Sequence, residues 1–271
     1  MTYGTKMLAL GVLLFGTSAG TAAIVDLGSL RNFAIFAGTI VINTGPSAVA
    51  GNIGTSSTTA LSGFGNVALI GSVHAGDAVA QQAAADWKAA FASGNAASCT
   101  ADLTGQDLGG MTLTAGTYCF SSNAQLTGRL TLDAGGDPAA QFLFRTGSTL
   151  TTATASSVAW TGGAGDAVWL IGSAATLGTA TEFSGSILAA TAITLDTGAS
   201  ISRGRALAGS GAVSLDSSSI AVDIVAVPEP ATWTLLLTGF AVVGRQLRRR
   251  RAIDAEMSRP RNFCAPVLAV V

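Results

Sequence analysis

Short apolar segments recur along the chain at nearly regular intervals, with glycine, threonine and serine between them. In the second half, three segments align without gaps over their first residues and are headed by Leu177, Leu195 and Leu215, which lie 18 and 20 residues apart. Each leucine follows Thr or Ser and precedes a Thr/Ser-rich stretch. A period of about 20 residues built from short strands and glycine turns is typical of a solenoid, whose coils stack to bury their apolar side chains.

Similar segments occur earlier in the chain. Residues 124–136 and 148–160 have the same composition, and residues 40–54 resemble residues 193–207. Irregular intervals, such as the insertion at 161–169, predict an imperfect β-helix rather than a regular one. A β-sandwich also uses short strands and remains the alternative, but it does not require coils of nearly identical sequence.

One segment departs from this strand-like pattern and predicts a single amphipathic α-helix over about 77–93. Asp77 is placed as the N-cap and Gly94 as the C-terminal stop. The predicted apolar stripe consists of Val79, Ala83, Trp87 and Phe91. His74, the only histidine, lies just before the helix, a place that favours a structural hydrogen-bonding role over a catalytic one.

The N-terminal residues 1–23 have the pattern of a secretory signal peptide. Lys6 precedes a short apolar run, which ends in the small residues 21–23. The alternative is a core helix, which the short length of the run and its position at the N-terminus disfavour.

In the C-terminal region, Pro228, Glu229 and Pro230 precede a short apolar run at 231–244, and an arginine cluster at 245–251 follows. In this order the three elements resemble the PEP-CTERM sorting signal of Gram-negative bacteria. The resemblance implies that residues 227–251 hold the chain transiently in the inner membrane, with the arginines on the cytoplasmic side. It also implies an exosortase-type protease as a partner. An extension, residues 252–271, follows where such signals usually end.

The remaining residues, 24–226, have the length of one large domain and a net charge of −6, from six basic and twelve acidic residues. This balance gives no indication of a nucleic-acid partner. Two cysteines, Cys99 and Cys119, fall in this exported part, and in an oxidising compartment they most simply form a disulfide. Half of a metal site is the alternative, but no further His or Cys lies nearby.

Enzymatic interpretations find little support in the residues. Residues 63–68 superficially fit a dinucleotide-binding loop, but the following residues predict a strand where that motif needs a helix. A chain with one histidine offers no Ser-His-Asp set, and Asp133 and Asp137, which are close in sequence, lie in a predicted turn. We therefore expect no catalytic residues, no metal and no cofactor.

Four passages, residues 33–54, 71–87, 102–133 and 172–216, cover nearly all of the exported part, and the third of them is the most specific. In these passages the chain resembles the ice-binding family once named DUF3494. The resemblance implies a mainly β fold, an irregular and discontinuous right-handed β-helix of triangular section with one long α-helix packed alongside. It also implies that the N-terminal segment inserts between later coils.

Threonine suits a surface that adsorbs to ice, because its β-branched side chain is stiff and holds a methyl and a hydroxyl in fixed positions. Several members of the family carry the pattern Thr-Ala/Gly-x-Thr/Asn on the ice-binding face; residues 114–117, 146–149 and 191–194 match it, and 197–200 nearly match. Thr176, Thr179 and Thr181 are expected in register with Thr194, Thr197 and Ala199. The predicted ice-binding set is Thr114, Thr117, Thr146, Thr149, Thr176, Thr179, Thr191, Thr194 and Thr197. Equally, these threonines could simply suit strands and turns, and the sequence leaves open which of the three faces is flat.

These observations predict a secreted or surface ice-binding protein, a monomer that adsorbs to ice crystals through a Thr-rich face of the β-helix. The alternative is a non-enzymatic structural or adhesive component of the cell surface or of an exopolysaccharide matrix.

Overall fold

A computed structural model describes residues 25–58 and 61–222. Before the helix it contains the strands β1 (Phe33–Ala37), β2 (Val41–Thr44), β3 (Ser47–Ala50), β4 (Asn52–Thr55), β5 (Leu61–Ser62), β6 (Val67–Ile70) and β7 (Val73–Ala75), with short 3-10 turns at Gly28–Asn32 and Phe64–Asn66. The helix α1 covers Ala78–Ala96. After it come β8 (Ala101–Asp102), β9 (Thr112–Thr114), β10 (Gly116–Phe120), β11 (Ala124–Leu126), β12 (Arg129–Asp133), β13 (Gln141–Thr146), β14 (Leu150–Thr152), β15 (Ser157–Thr161), β16 (Asp166–Ile171), β17 (Ala175–Leu177), β18 (Glu182–Ser184), β19 (Ser186–Ala189), β20 (Ile193–Leu195), β21 (Ser200–Ser202), β22 (Ala206–Ala208), β23 (Val213–Asp216) and β24 (Ser219–Ala221).

The strands form three parallel sheets around one core. Sheet A has the order β7-β4-β1-β22-β19-β16-β13-β10-β8, sheet B the order β11-β14-β17-β20-β23-β2-β5, and sheet C the order β6-β3-β24-β21-β18-β15-β12-β9. A full coil contributes one strand to each sheet in turn, as β16, β17 and β18 do. The predicted β-solenoid is confirmed, and the β-sandwich alternative is wrong, because sandwiches are built from antiparallel sheets.

The stack is discontinuous in sequence. The first coil (β1–β3) pairs with the last coil (β22–β24), and the second coil (β4–β6) pairs with the first on its far side. The resemblance implied an insertion between later coils; instead, the two N-terminal coils extend the stack beyond the last one. Strands β7 and β8 consequently lie at opposite edges of the nine-stranded sheet A.

The helix returns the chain from one end of the stack to the other. Nine strands at about 4.8 Å spacing span about 38 Å. The 19 residues of α1 rise about 28 Å, and residues 97–100 cover the rest. The N-cap prediction is confirmed, since the Asp77 Oδ1 accepts a hydrogen bond from the Ala80 N–H at 2.8 Å.

The face that α1 packs on sheet A includes three of the four residues of the predicted stripe, Ala83, Trp87 and Phe91, and adds small residues to them. Its buried residues are Ala80, Ala83, Ala90 and Gly94, while Trp87 and Phe91 are half-buried and Val79 is 45% exposed. Sheet A supplies the bulk at this contact through leucines on its outer face, so the helix needs small residues to approach closely. Gly94 lies inside the helix rather than at its end. Glycine is needed there because a Cβ would lie 2.2 Å from the Leu170 Cδ1.

The C-terminal end of α1 is fixed covalently and by hydrogen bonds. The predicted disulfide between Cys99 and Cys119 is confirmed, with Cα atoms 5.8 Å apart, and it ties the residues after the helix to β10. The Arg145 guanidinium donates to the carbonyl oxygens of Asn95 and Ala97, at 2.6 and 2.9 Å. Those two carbonyls are among the groups that a helix end leaves without partners.

The chain enters and leaves the described part beside the corner between sheets C and A. Val25 packs against the first residues of β13 and β16, and the Val222 N–H donates to the Ala50 carbonyl at the end of β3. None of the helices in the described residues is long and apolar enough to cross a membrane. The predicted signal peptide (1–23), the sorting signal (227–251) with Pro228, Glu229 and Pro230, and the extension (252–271) lie outside the described residues.

Candidate functional site: the outer face of sheet B

The outer face of sheet A is covered. Leu143, Leu170, Leu188 and Leu207 point outward from its strands, and all four are buried against α1 and the N-terminal residues. The Trp87 indole N–H donates to the Leu207 carbonyl at 3.0 Å and fixes the helix over this sheet. This face therefore offers no extended surface to a ligand.

The outer face of sheet C is charged at several positions. One register row contains Arg129, Ser157, Glu182, Ser200, Ser219, Ala48 and Ala68. Asp133, at the end of β12, lies in register with Thr114 and Thr161. Charged groups keep their own hydration shells, so this face does not present a uniform layer to water.

The outer face of sheet B is uncharged along its middle. Its central column, one residue from each strand, consists of Gln125, Thr151, Thr176, Thr194, Ser214, Ile42 and Ser62. Each of these residues is exposed or half-buried, and all but Ser62 lie between two buried neighbours. Because pairing is parallel and in register, successive members are about 4.8 Å apart.

A second outward column lies two residues earlier on each strand. Backbone hydrogen bonds between adjacent coils align Thr149, Ala174, Ala192, Ala212 and Ile40. All five are half-buried, and the residue that follows each of them is buried. Residues two apart on a strand are about 6.6 Å apart. Apart from Gln125, the two columns thus form a regular array of small and β-branched side chains.

Polar turns border this array on both sides. At the corner between sheets A and B, the row is Ser122, Ser148, Ser173, Thr191, Gly211 and Thr39. At the corner between sheets B and C, Thr154, Thr179 and Thr197 are exposed. The Thr197 hydroxyl donates to the Asp216 carboxylate. Acidic groups therefore occur at the B–C border, where Asp216 ends β23 and Asp196 directly follows β20, but none is among the twelve residues of the two columns.

Asp107 lies in register with Gln125, next to the end of the central column, and its carboxylate forms a comparable pair with the Thr127 hydroxyl. Burial disfavours the ionised Asp107, but the Thr127 hydroxyl and the N–H groups of Gly109 and Thr127 favour it more in total, so the pKa of Asp107 lies below its usual range. The carboxylate is thus committed to local hydrogen bonds.

The predicted threonines divide into two groups. Thr176 and Thr194 lie in the central column, and their predicted register is confirmed. Thr149 lies in the second column, Thr191 at the A–B corner, and Thr179 and Thr197 at the B–C corner.

The other predicted threonines lie elsewhere. Thr114 is exposed on sheet C, and Thr117 and Thr146 lie in sheet A, where they are 5% and 3% exposed. The four-residue pattern at 114–117 runs around the C–A corner, whereas that at 191–194 runs around the A–B corner, so the matches do not share one face. Thr181 is also buried, with its hydroxyl 2.8 Å from that of Thr152.

The sequence did not identify Thr151, an exposed member of the central column. The repeats align on a leucine that points inward, and in this coil the inward position is occupied by Thr152 instead of leucine. The usable signal was the pair Thr149 and Thr151, which flank the buried Leu150.

The described residues hold no group of three or more His, Cys, Asp or Glu side chains that could bind a metal ion. The His74 Nδ1 lies 2.9 Å from the Asp77 Oδ2, and the ring packs against Phe33. Residues 63–68, the superficial dinucleotide-loop match, form a 3-10 turn followed by β6.

Comparisons with known proteins agree with this architecture. The sequence profile of the ice-binding-like family matches residues 35–221. An ice-binding protein from Nostoc sp. (strain HG1) is 47% identical over 224 residues, which cover 80% of this chain and 83% of that protein. The crystal structure of an ice-binding protein from the Antarctic ascomycete Antarctomyces psychrotrophicus is similar, with a TM-score of 0.70 and 38% identity over 73% of this chain and 98% of that one. The crystal structure of an ice-binding protein from an Antarctic biological consortium is similar too, with a TM-score of 0.71. It is 38% identical, and the match covers 76% of this chain and 94% of that one.

Proposed function

The chain belongs to the ice-binding-like family, and from this premise we propose that it adsorbs to ice through the outer face of sheet B. The observation that carries the proposal is the central column of Thr151, Thr176 and Thr194, which stand in register on three successive coils. The second column, with Thr149, Ala174 and Ala192 on the same three coils, supports the same face.

The two columns combine rigid side chains with an absence of charge. A threonine on a strand has a restricted χ1 angle, so its methyl and hydroxyl recur at similar points along the stack. The hydroxyls can hold water molecules in place, and the methyls add apolar area without competing for hydrogen bonds. An ordered layer of water on such an array can join an ice lattice, whereas a charge would keep its own hydration.

The proposed contact set is narrower than the predicted one. It comprises Thr149, Thr151, Thr176 and Thr194, with Thr179, Thr191 and Thr197 at its borders. Thr117 and Thr146 are omitted because they are buried, and Thr114 because it belongs to the charged sheet C.

The test compares a bulky substitution on two faces of the folded protein. Thr176→Tyr places a bulky ring in the middle of sheet B. It should raise the concentration needed to inhibit ice recrystallisation by about tenfold or more, because the ring holds the neighbouring side chains out of van der Waals range of the ice surface. Thr131→Tyr is the matched control, since Thr131 is also a half-buried, outward-pointing strand residue but lies on sheet C.

Two outcomes would contradict the proposal. Folded wild-type protein without activity at micromolar concentration would remove ice binding. A larger loss with Thr131→Tyr than with Thr176→Tyr would move the site to sheet C.

Without ice activity, the second candidate function is a non-enzymatic structural or adhesive role at a cell surface or in an exopolysaccharide matrix, which the rigid stack of coils would suit.

Processing of the two ends is part of the proposal. Residues 1–23 would direct export, and residues 227–251 would anchor the chain until an exosortase-type protease cleaves near Pro228, Glu229 and Pro230 in a Gram-negative bacterium. The Cys99–Cys119 disulfide supports an oxidising destination. Mass spectrometry of the exported protein tests this: we expect termini near residues 24 and 228, and an intact chain would contradict it.

A further inference from the structure

We propose that the ice-contact surface continues onto the first coil, where Ile40 and Ile42 give it an apolar sector. The inference rests on the proposed function of sheet B and identifies a coil whose residues in the two columns are isoleucines rather than threonines. Strand β2 pairs with β23 on one side and β5 on the other, so the first coil continues the same face.

The geometry places both isoleucines in the two outward columns. Ile42 lies in register with Ser214 and with Ser62. Ile40 lies two residues earlier, and its carbonyl accepts the Val213 N–H, which aligns it with Ala212. Val41, between them, is fully buried. Ile40 and Ile42 are therefore the first coil's equivalents of Ala192 and Thr194.

Ile42 is exposed although it does not lie at the end of the stack, where the other exposed apolar residues are found. Four large apolar residues of the described part are exposed: Ile42, Ile70, Val73 and Val79. The other three lie on β6, β7 and the first turn of α1, at the end of the stack. Ile42, which is 38% exposed, lies instead on an inner strand of sheet B with serines in register on both sides.

Isoleucine has the shape that this array uses elsewhere. It is β-branched like threonine, so its side chain is equally stiff, and it carries an apolar group where threonine carries a hydroxyl. Water over such a group bonds to neighbouring water rather than to the protein. The hydroxyls of Ser214 and Ser62 can hold that water on either side. The ligand of the sector is accordingly the same ordered water layer that the threonines contact.

The experiment introduces a charge at matched positions of one coil. Ile42→Lys should raise the concentration of the full-length protein needed to inhibit recrystallisation by about tenfold, because the ammonium keeps its own hydration shell. Ala48→Lys is the control, since Ala48 is exposed on β3 of the same coil but faces outward from sheet C. It should change activity less than about twofold. Ile42→Thr, which continues the column in threonine, should retain activity.

A second variant guards against misfolding. Ser62→Lys, in the same column on β5, should also reduce activity, and circular dichroism melting of all variants checks that they are folded. Wild-type activity in both folded Lys variants would overturn the inference, while a loss in Thr176→Tyr would still support the proposed function. Wild-type protein without ice activity would overturn both. A wild-type dimer that Ile42→Lys converts to a monomer would also overturn the inference, by assigning the isoleucines to self-association.

Discussion

At the scale of single residues, neighbouring threonines do different work. Thr151 faces water in the central column, while Thr152 points into the core at a position where other coils have leucine. The Thr152 hydroxyl accepts the Gly178 N–H at 2.9 Å and lies 2.8 Å from the Thr181 hydroxyl. Thr181 in turn donates to the Ala153 carbonyl. This buried polar group is fully satisfied, as burial requires.

Removing the Thr152 hydroxyl should therefore be costly. Thr152→Val leaves the Gly178 N–H without its acceptor, and we expect a loss of about 1–3 kcal/mol in the free energy of unfolding, measured by denaturant titration. Thr154→Val, in the exposed turn that follows, should stay within about 0.5 kcal/mol. The double variant Thr152→Val/Thr181→Val should lose less than the sum of the single changes. Equal effects of Thr152→Val and Thr154→Val would show that the buried pair contributes nothing.

The sequence could predict that threonines matter but not which ones reach the surface. A shift of one residue along a strand moves a side chain to the opposite face. Thr151 and Thr152 are therefore indistinguishable by composition, and Thr117 and Thr146 fit the four-residue pattern although they are buried. The central column became visible only when the register of all seven strands of sheet B was known.

At the scale of elements, α1 is held by carboxylates near its start and middle. The pKa of Asp77 lies below its usual range because of the Ala80 N–H and then the His74 side chain. The pKa of Asp86 is also lowered, chiefly by the Ser29 hydroxyl, which donates at 2.6 Å. Both groups therefore favour the folded state when they are ionised.

The pH dependence follows from the sign of these shifts. Because the pKa is lower in the folded state, the stabilisation is present above the unfolded value of about 3.9 and is lost as pH falls through the folded value. Near neutral pH, Asp77→Ala should lower the melting temperature by about 2–4 °C, whereas Asp77→Asn keeps a capping side chain. On acidification the difference between wild type and Asp77→Asn should shrink, and a constant difference down to pH 2 would contradict the linkage.

The N-terminal end of α1 was predicted from the sequence, whereas its C-terminal end was not. An N-cap is a local signal, and Asp77 fulfils it. The buried face also depends on the partner, since Ala83, Ala90 and Gly94 lie in one buried cluster with the leucines of sheet A. That glycine serves close approach between helix and sheet, which no local pattern could distinguish from a helix stop.

At the scale of the whole described part, its first and last residues and the proposed ice face lie on opposite sides. Val25 and Val222 are beside the C–A corner, and sheet B is the side between the other two corners. A partner attached near the C–A corner should therefore leave the proposed face open.

Insertion of a folded domain tests this arrangement. A small fluorescent protein inserted between Gly135 and Gly136, in the exposed turn at the C–A corner, should leave inhibition of recrystallisation within about twofold. The same insertion between Ser122 and Asn123, an exposed turn that borders sheet B, should abolish it. Equal activity of the two folded fusions would place the ice contact away from sheet B.

The pairing of the first coil with the last also dictates the order in which the molecule can be completed. The Ser218 N–H donates to the Ser47 hydroxyl across 171 residues of sequence, and the Arg205 guanidinium donates to the Arg31 carbonyl across 174. Such distant pairs form slowly, because bringing their two residues together costs loop-closure entropy before any contact between them can stabilise the structure. The residues synthesised first should thus dock last, on a template made by β22–β24. Pulsed hydrogen exchange during refolding should show protection of β19–β21 before that of β1–β3; the reverse order would mean that the N-terminal coils nucleate the stack.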